Sequence, residues 1–199
     1  MELHVLNHPL VEHKLTVLRD KNTPSSTFRE LVSELVSLEA YEATRNLEVV
    51  DKPIETPVAP MVGKQIAKPR PIIVPVLRAG LGMLDGMTRL IPTAEVGFLG
   101  MKRDEEHPTQ QVTYANRLPE DLSGRQCFLI DPMLATGGSA CEAIGEMVKR
   151  GCKHITLMVL VAAPEGIKAV QEKYPDVNIY AGALDDHLNE HGYIVPGLG

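Results

Sequence analysis

The stretch Gln126-Cys127-Phe128-Leu129-Ile130-Asp131-Pro132-Met133-Leu134-Ala135-Thr136-Gly137-Gly138-Ser139 constrains this chain more than any other. Cys127 to Ile130 is a short apolar run, the pattern of a strand buried on both faces. Asp131 stands at its carboxyl end, and Ala135-Thr136-Gly137-Gly138-Ser139 is a loop of small residues that opens into an apolar-periodic helix from Ala140 to Arg150. In an open α/β sheet, ligands sit beyond the carboxyl ends of the strands. A small-residue loop at a helix start offers unpaired N–H groups and the positive end of the helix dipole, which suits a phosphate. An acid just before it can accept hydrogen bonds from sugar hydroxyls. A plain strand–loop–helix connection would explain a glycine pair alone. The ordered set of strand, acid, loop and helix points instead to a ribose 5-phosphate.

This set resembles the phosphoribosyl pyrophosphate (PRPP) motif of type I phosphoribosyltransferases. Those motifs carry two adjacent acids, whereas Pro132 holds the second place here. The form Asp-Pro-Met-Leu-Ala-Thr-Gly-Gly-Ser is similar to the uracil phosphoribosyltransferase branch. The resemblance implies PRPP contacts at Asp131, Pro132, Met133, Leu134, Ala135, Thr136, Gly137, Gly138 and Ser139, with Asp131 catalytic.

The rest of the chain reads as one domain, 1–199. The 199 residues, with 44% hydrophobic and 23% charged, suffice for one core. No apolar run reaches the length of a membrane span, and Met1-Glu2-Leu3-His4 lacks the features of a signal peptide. Cys127, Cys141 and Cys152 are too few and too scattered for a disulfide framework or a zinc site. A cytoplasmic location is expected. The net charge of −6 disfavours nucleic acid as a partner and requires a local basic cluster to hold a polyanion.

In chain order, residues 8–20 form a short amphipathic helix. Thr27 and Glu30 make a capping box for a second helix, reaching about Thr44 with Phe28, Leu31, Val32, Leu35 and Leu38 on one face. Leu47–Val50 and Ile54–Val58 pair as a hairpin around Asp51-Lys52-Pro53. From Pro71 strands and helices alternate: strands at 72–77, 94–99, 126–130, 154–161 and 177–181. The expected fold is α/β, type I phosphoribosyltransferase-like. It has a parallel sheet of about five strands flanked by helices, with N-terminal helices and a small β-arm or hood.

Three further stretches could carry chemistry. Arg78-Ala79-Gly80 follows the first core strand, and Arg78 can bind phosphate oxygens through bidentate hydrogen bonds. This resembles the pyrophosphate loop of the family. A dinucleotide fingerprint is the rival, but Gly86 falls one place late for it and no acid ends the second strand. Met101 to Pro108 is charge-dense, and a solvated hairpin tip is its plain reading. The resemblance instead makes Arg103 a catalytic PRPP contact on a flap over 102–115, with Lys102 a weaker candidate. His187-Leu188-Asn189-Glu190-His191 matches a zinc motif as a string, but Gly192 ends any helix that could hold both histidines.

Gly192-Tyr193-Ile194-Val195-Pro196-Gly197-Leu198-Gly199 has the glycine and proline pattern of a non-repeating backbone whose N–H and C=O groups point outward. Such groups can match the acceptor–donor–acceptor edge of uracil. Cytosine reverses part of that pattern and would leave polar groups unpaired at roughly 1–3 kcal/mol each. The segment resembles the base-binding segment of uracil phosphoribosyltransferases, which implies uracil contacts at Ile194 and Gly199. Family members continue past this glycine with Asp-Ala-Gly-Asp, and that acid is expected on the ribose side of the site.

Taken together, the resemblance implies transfer of the phosphoribosyl group from PRPP to uracil. It also implies magnesium (Mg2+) held mainly through PRPP with no protein metal cage, a homodimer or larger homo-oligomer, and a GTP effector in some members. A non-catalytic PRPP-sensing regulator on the same fold and a transferase for purine bases are the alternatives.

Overall fold

The alternation of apolar runs with amphipathic stretches is realised as a doubly wound sheet in the computed structural model, which describes residues 2–103 and 111–198, apart from the side chains of Arg103 and Gln111. A short strand β1 (Leu3–Val5) precedes two helices, α1 (Pro9–Arg19) and α2 (Ser25–Ala43). A hairpin follows, β2 (Val49–Glu55) with β3 (Pro60–Ile66). Then come β4 (Ile72–Leu77), α3 (Leu81–Leu90), β5 (Glu95–Val96), β6 (Phe98–Arg103) and β7 (Gln111–Arg117). The chain continues through β8 (Gln126–Ile130), β9 (Met133–Leu134), α4 (Gly138–Val148), β10 (His154–Ala162) and α5 (Pro164–Lys173). It ends with β11 (Asn178–Leu184), β12 (His187–Leu188) and β13 (Ile194–Val195).

The main sheet runs β1-β11-β10-β8-β4-β6-β7, with β5 and β9 as short side pairings. Every neighbour is parallel except β7, which returns antiparallel along β6. The five expected strands are present, and β1 and β7 extend the sheet beyond them. Both escaped the sequence reading because β1 is three residues long and β7 (Gln-Val-Thr-Tyr-Ala-Asn-Arg) is largely polar. The expected strand 94–99 is split at Gly97, where a Cβ would sit 2.7 Å from the Leu118 side chain.

Two apolar layers sandwich the sheet. Val11, Leu15 and Leu18 of α1, Val32, Leu35 and Val36 of α2, and Met83 and Met87 of α3 cover one face. Ala143, Ile144 and Met147 of α4 with Ile167 and Val170 of α5 cover the other. The N-terminal helices are therefore a wall of the core. Helix α1 starts where expected because Pro9 sits in its first turn and His8 Nδ1 accepts from the Leu10 N–H at 3.1 Å.

Two local expectations are corrected. Helix α2 begins at Ser25 after Pro24, with no side-chain cap, so the Thr27–Glu30 capping box does not form; Thr27 is already inside the first turn. The hairpin turns at Thr56-Pro57-Val58-Ala59, beyond the expected tip at Asp51-Lys52-Pro53. Thr56 Oγ1 accepts from the N–H groups of Val58 and Ala59, and Pro53 lies within β2 opposite Val62. The cysteines, scattered in sequence, are not all scattered in space: Cys152 Sγ lies 2.7 Å from Cys127 Sγ, both as buried free thiols.

Candidate active site

The chain order of the sheet places the site. From β4 the chain moves outward to β6, then returns to β8 on the other side of β4. The carboxyl ends of β4 and β8 thus flank the crevice where the winding reverses, the position at which open α/β sheets bind ligands. Pro75 of β4 lies opposite Ile130 of β8, so Arg78 and Asp131 follow neighbouring strand ends. A Cβ at Gly80 would come within 2.6 Å of the Ile130 carbonyl oxygen, so the Arg78–Gly80 turn is packed directly on the end of β8. Arg78 itself is exposed, and the Leu77–Arg78 peptide is cis.

A cavity of about 270 Å³ opens beyond β8, lined by Asp131, Met133 to Ala140, Met101, Lys102, Leu157 and Val159. Helix α4 begins on its wall. Gly137 at the N-cap has φ +81°, and a Cβ there would meet Ala169 Cβ at 2.9 Å and the Gly166 carbonyl oxygen at 3.0 Å. Only glycine meets both demands, and this glycine turns the chain into the helix. The first intrahelical bond is Cys141 N–H to the Gly137 carbonyl, so the N–H groups of Ser139 and Ala140 have no partner within the helix. Gly138 N–H reaches Thr136 Oγ1 at a weak 3.5 Å. Successive N–H groups beside the cavity, at the positive end of an eleven-residue helix, form an anion cradle.

Asp131 shares this cavity. Burial pushes its carboxyl up to about 7, and a hydrogen bond from the Met133 N–H offsets only part of that. Pro132, where a second acid would stand, points its role elsewhere. Its carbonyl accepts from the Leu160 and Val161 N–H groups at 3.0 and 3.2 Å, stitching the loop to β10, and it does not line the cavity. Lys102, the weaker sequence candidate, does line it. Of the flap expected over 102–115, residues 102–103 end β6 and residues 111–115 begin β7, paired as an antiparallel ladder; the Arg103 side chain and residues 104–110 lie outside the described residues.

The C-terminal segment adjoins this cradle. A Cβ on Gly192 would lie 3.9 Å from Thr136 Cγ2, and Leu188 and Leu198 pack in the same apolar cluster as Met133 and Ala135. Strands β12 and β13 pair antiparallel, His187 with Val195 and Leu188 with Ile194. Asn189 Oδ1 accepts from the His191 and Tyr193 N–H groups at 3.0 and 2.9 Å, and Glu165 Oε1 from the Leu188 N–H at 2.9 Å. His187 is thus in a strand and His191 in a turn, so the helix required by the zinc motif is absent. The Ile194 side chain is buried in the core, 8% exposed, and its backbone pairs with Leu188. Gly199 lies outside the described residues.

Sequence reasoning missed the supports of this segment. Glu165 is 23 residues from Leu188, and Arg19 and Asp185, which meet at Gly197, are 166 apart. No local pattern links them.

The chain is similar to known proteins over nearly its whole length. The uracil phosphoribosyltransferase family model matches residues 5–199. A uracil phosphoribosyltransferase of Bifidobacterium animalis subsp. lactis is 78% identical over the whole chain and 95% of the relative, and one of Beutenbergia cavernae is 59% identical over the same shares. Among solved structures, the AQ2163 protein from Aquifex aeolicus superposes with a TM-score of 0.93 at 38% identity, covering 99% of this chain and 94% of that one. A hypoxanthine-guanine phosphoribosyltransferase from Bacillus anthracis shares the fold, with a TM-score of 0.55 at 13% identity over 78% of each chain. On the full-length family match and these relatives, the chain belongs to the uracil phosphoribosyltransferase family.

Proposed function

We propose that this enzyme transfers the 5-phosphoribosyl group of PRPP to uracil, giving UMP and pyrophosphate, with the Asp131–Ser139 cradle as its PRPP seat and the 194–199 segment as its base site. One observation carries the site assignment: the acid and the α4 N-terminus share one cavity at the switch point of the sheet, with the C-terminal segment against it. The N–H groups of Gly138, Ser139 and Ala140 hold the 5-phosphate. Asp131 accepts from the ribose hydroxyls. Arg78 binds the departing pyrophosphate, and Arg103 joins it by family resemblance. Backbone groups around Ile194 and Gly199 read the base. Catalysis is then positioning with electrostatic stabilisation of the leaving group.

Among the described residues no three acidic, histidine or cysteine side chains converge, and Asp131 is the single carboxylate lining the cavity. Such a donor set fits magnesium carried by substrate oxygens and water. When bound, the ion neutralises charge on the pyrophosphate.

A homodimer or larger assembly belongs to the same reading. It is supported by the β2–β3 hairpin, whose Val49, Val50, Ile54, Val58, Met61 and Val62 are exposed. No helix is long and apolar enough to cross a membrane among the described residues. Free thiols accord with a cytoplasmic location. A GTP response completes the proposal and is checked by adding GTP to the assay.

The test is pyrophosphate release from PRPP and magnesium with uracil, cytosine, hypoxanthine or no base. Release with uracil alone supports the assignment. Release with hypoxanthine transfers it to purines, and PRPP binding without release under any base favours a PRPP-sensing regulator.

A further inference from the structure

Gly197 is the tightest point of the C-terminal segment. Its φ is +64°, and a Cβ there would fall 2.2 Å from the Ile194 carbonyl oxygen. Neither of its backbone polar groups is free. The Gly197 N–H donates to Asp185 Oδ2 at 2.8 Å, and its carbonyl accepts from the Arg19 guanidinium at 2.9 Å. Arg19 and Asp185 are themselves joined in a two-pronged pair, with both bonds at 2.7 Å.

The pair is built into the core of the fold. Arg19 is the last residue of α1, and Asp185 directly follows β11. The Asp185 N–H donates to the Ala162 carbonyl at 2.8 Å, which fixes it to the end of β10, and the next residue's N–H donates to the Val195 carbonyl at 2.9 Å. The Asp185 side chain is 5% exposed and that of Arg19 22%. Burial raises the Asp185 carboxyl, but the Arg19 hydrogen bond, the Gly197 N–H and the Arg19 charge together outweigh it and hold the group below the usual range. It is therefore a fixed anion facing the Arg19 guanidinium. Neither residue lines the PRPP cavity.

We propose that Arg19 and Asp185 are positioning residues for the pyrimidine: by taking both backbone polar groups of Gly197, they set the direction in which the remaining backbone groups of the 194–198 segment face the base. This rests on reading that segment as the base site. A base read by backbone groups gains its selectivity from their direction, and a displacement of about 1 Å is enough to cost a large part of it. An arginine fork suits the task because it is planar and grips the carboxylate and the carbonyl together, which a lysine ammonium cannot reproduce. The consequence is confined to one substrate. Loosening the pair lets the base segment move while the α4 cradle, held by Gly137 and Gly166, stays in place.

The experiment compares the parent enzyme with Asp185→Asn, Arg19→Lys and Gly197→Ala in the pyrophosphate-release assay, with melting curves for each. KM for uracil and for PRPP are measured separately, and cytosine is run beside uracil. Asp185→Asn and Arg19→Lys are expected to raise the uracil KM about tenfold or more and to narrow the uracil-to-cytosine preference, with the PRPP KM within about twofold of the parent. An unchanged uracil KM in a folded variant overturns the proposal, as does an equal rise in both KM values, which would mark a general structural role. Should Asp185→Asn not fold, Arg19→Lys decides alone. Should neither fold, the pair is structural and the proposal falls. Gly197→Ala separates the two levels of the argument. If it leaves the uracil KM unchanged, the segment is not the base site; if it raises that KM while the other two variants do not, only the role of the pair fails.

Discussion

Glu39 of α2 accepts a hydrogen bond from the Val159 N–H of β10 at 3.1 Å, across the interior between helix layer and sheet. The carboxyl is 1% exposed, and its second oxygen, Oε2, has no partner among the described residues. Val159 also lines the cavity beyond β8. A fully buried acid with one bond is held far from its ordinary state: burial raises it well above the usual carboxylate range, and the Val159 bond pulls it only partly back.

That relationship predicts a pH-dependent stability. The folded state keeps the Glu39 proton to higher pH than the unfolded chain does. In the window above the unfolded carboxylate pKa, unfolding then releases a proton, and stability falls as pH rises. The slope from one such group is at most about 1.4 kcal/mol per pH unit. Glu39→Gln keeps the acceptor for Val159 and cannot ionise. Urea unfolding from about pH 5 to pH 8 is expected to show a shallower decline for Glu39→Gln than for the parent, with the variant the more stable at the alkaline end. Parallel curves would remove Glu39 as the source.

Asp131 gives a second pH signature, in activity. With its carboxyl pushed up to about 7, the free enzyme holds much of this residue as the neutral acid at and below neutrality. Ribose hydroxyls need the carboxylate as acceptor. The value of kcat/KM for PRPP should therefore climb with pH and level off above about 7, since that parameter reports the free enzyme. Asp131→Asn should flatten this rise and lower kcat/KM by about 10- to 100-fold, the loss expected for charge-assisted hydrogen bonds. A variant that retains the parent's acid limb would place the titration on another group.

The α4 N-terminus is tested at Gly137. Gly137→Ala puts a residue at φ +81°, which costs about 1–2 kcal/mol, and drives its Cβ toward Ala169 and the Gly166 carbonyl. The cradle must shift to relieve that contact. PRPP binding measured by calorimetry is expected to weaken at least about tenfold, with a modest fall in melting temperature. Parent-like PRPP affinity in the folded variant would mean that the helix start does not hold the phosphate.

The cradle was legible in the sequence because its parts are contiguous. Strand, acid, loop and helix follow one another from Gln126 to Val148, and local chemistry sets each in turn. The same holds for Arg78 at the end of β4. Glu39 was not legible, because a charged residue between Leu38 and Ala40 reads as a solvated position. The helical period of Val32, Leu35, Val36 and Ala40 nonetheless places it on the buried face. Arg19, Asp185 and Gly197 meet only through the packing of α1 against the end of β11. The hairpin tip was misplaced because Pro53 and Pro57 are both turn-compatible, and the choice between them is made by the Thr56 hydroxyl, which satisfies two N–H groups at once.

Arg78 stands beside the cradle without lining it, on a turn pinned to the end of β8. Its backbone is fixed and its side chain exposed, an arrangement that leaves the guanidinium able to meet a group projecting from the cavity. With PRPP seated as proposed, that group is the pyrophosphate, which carries the charge that grows as the bond to ribose breaks. An interaction that strengthens with that charge acts on the transition state more than on the bound substrate. Arg78→Ala should accordingly lower kcat by about 10- to 100-fold and raise the PRPP KM less, and Arg78→Lys should restore part of kcat by returning a point charge without the fork. The uracil KM should be unaffected. Steady-state kinetics with each substrate varied in turn reads all three quantities. A loss expressed wholly in the PRPP KM would make Arg78 a binding group only, and an unchanged kcat/KM would remove it from the reaction.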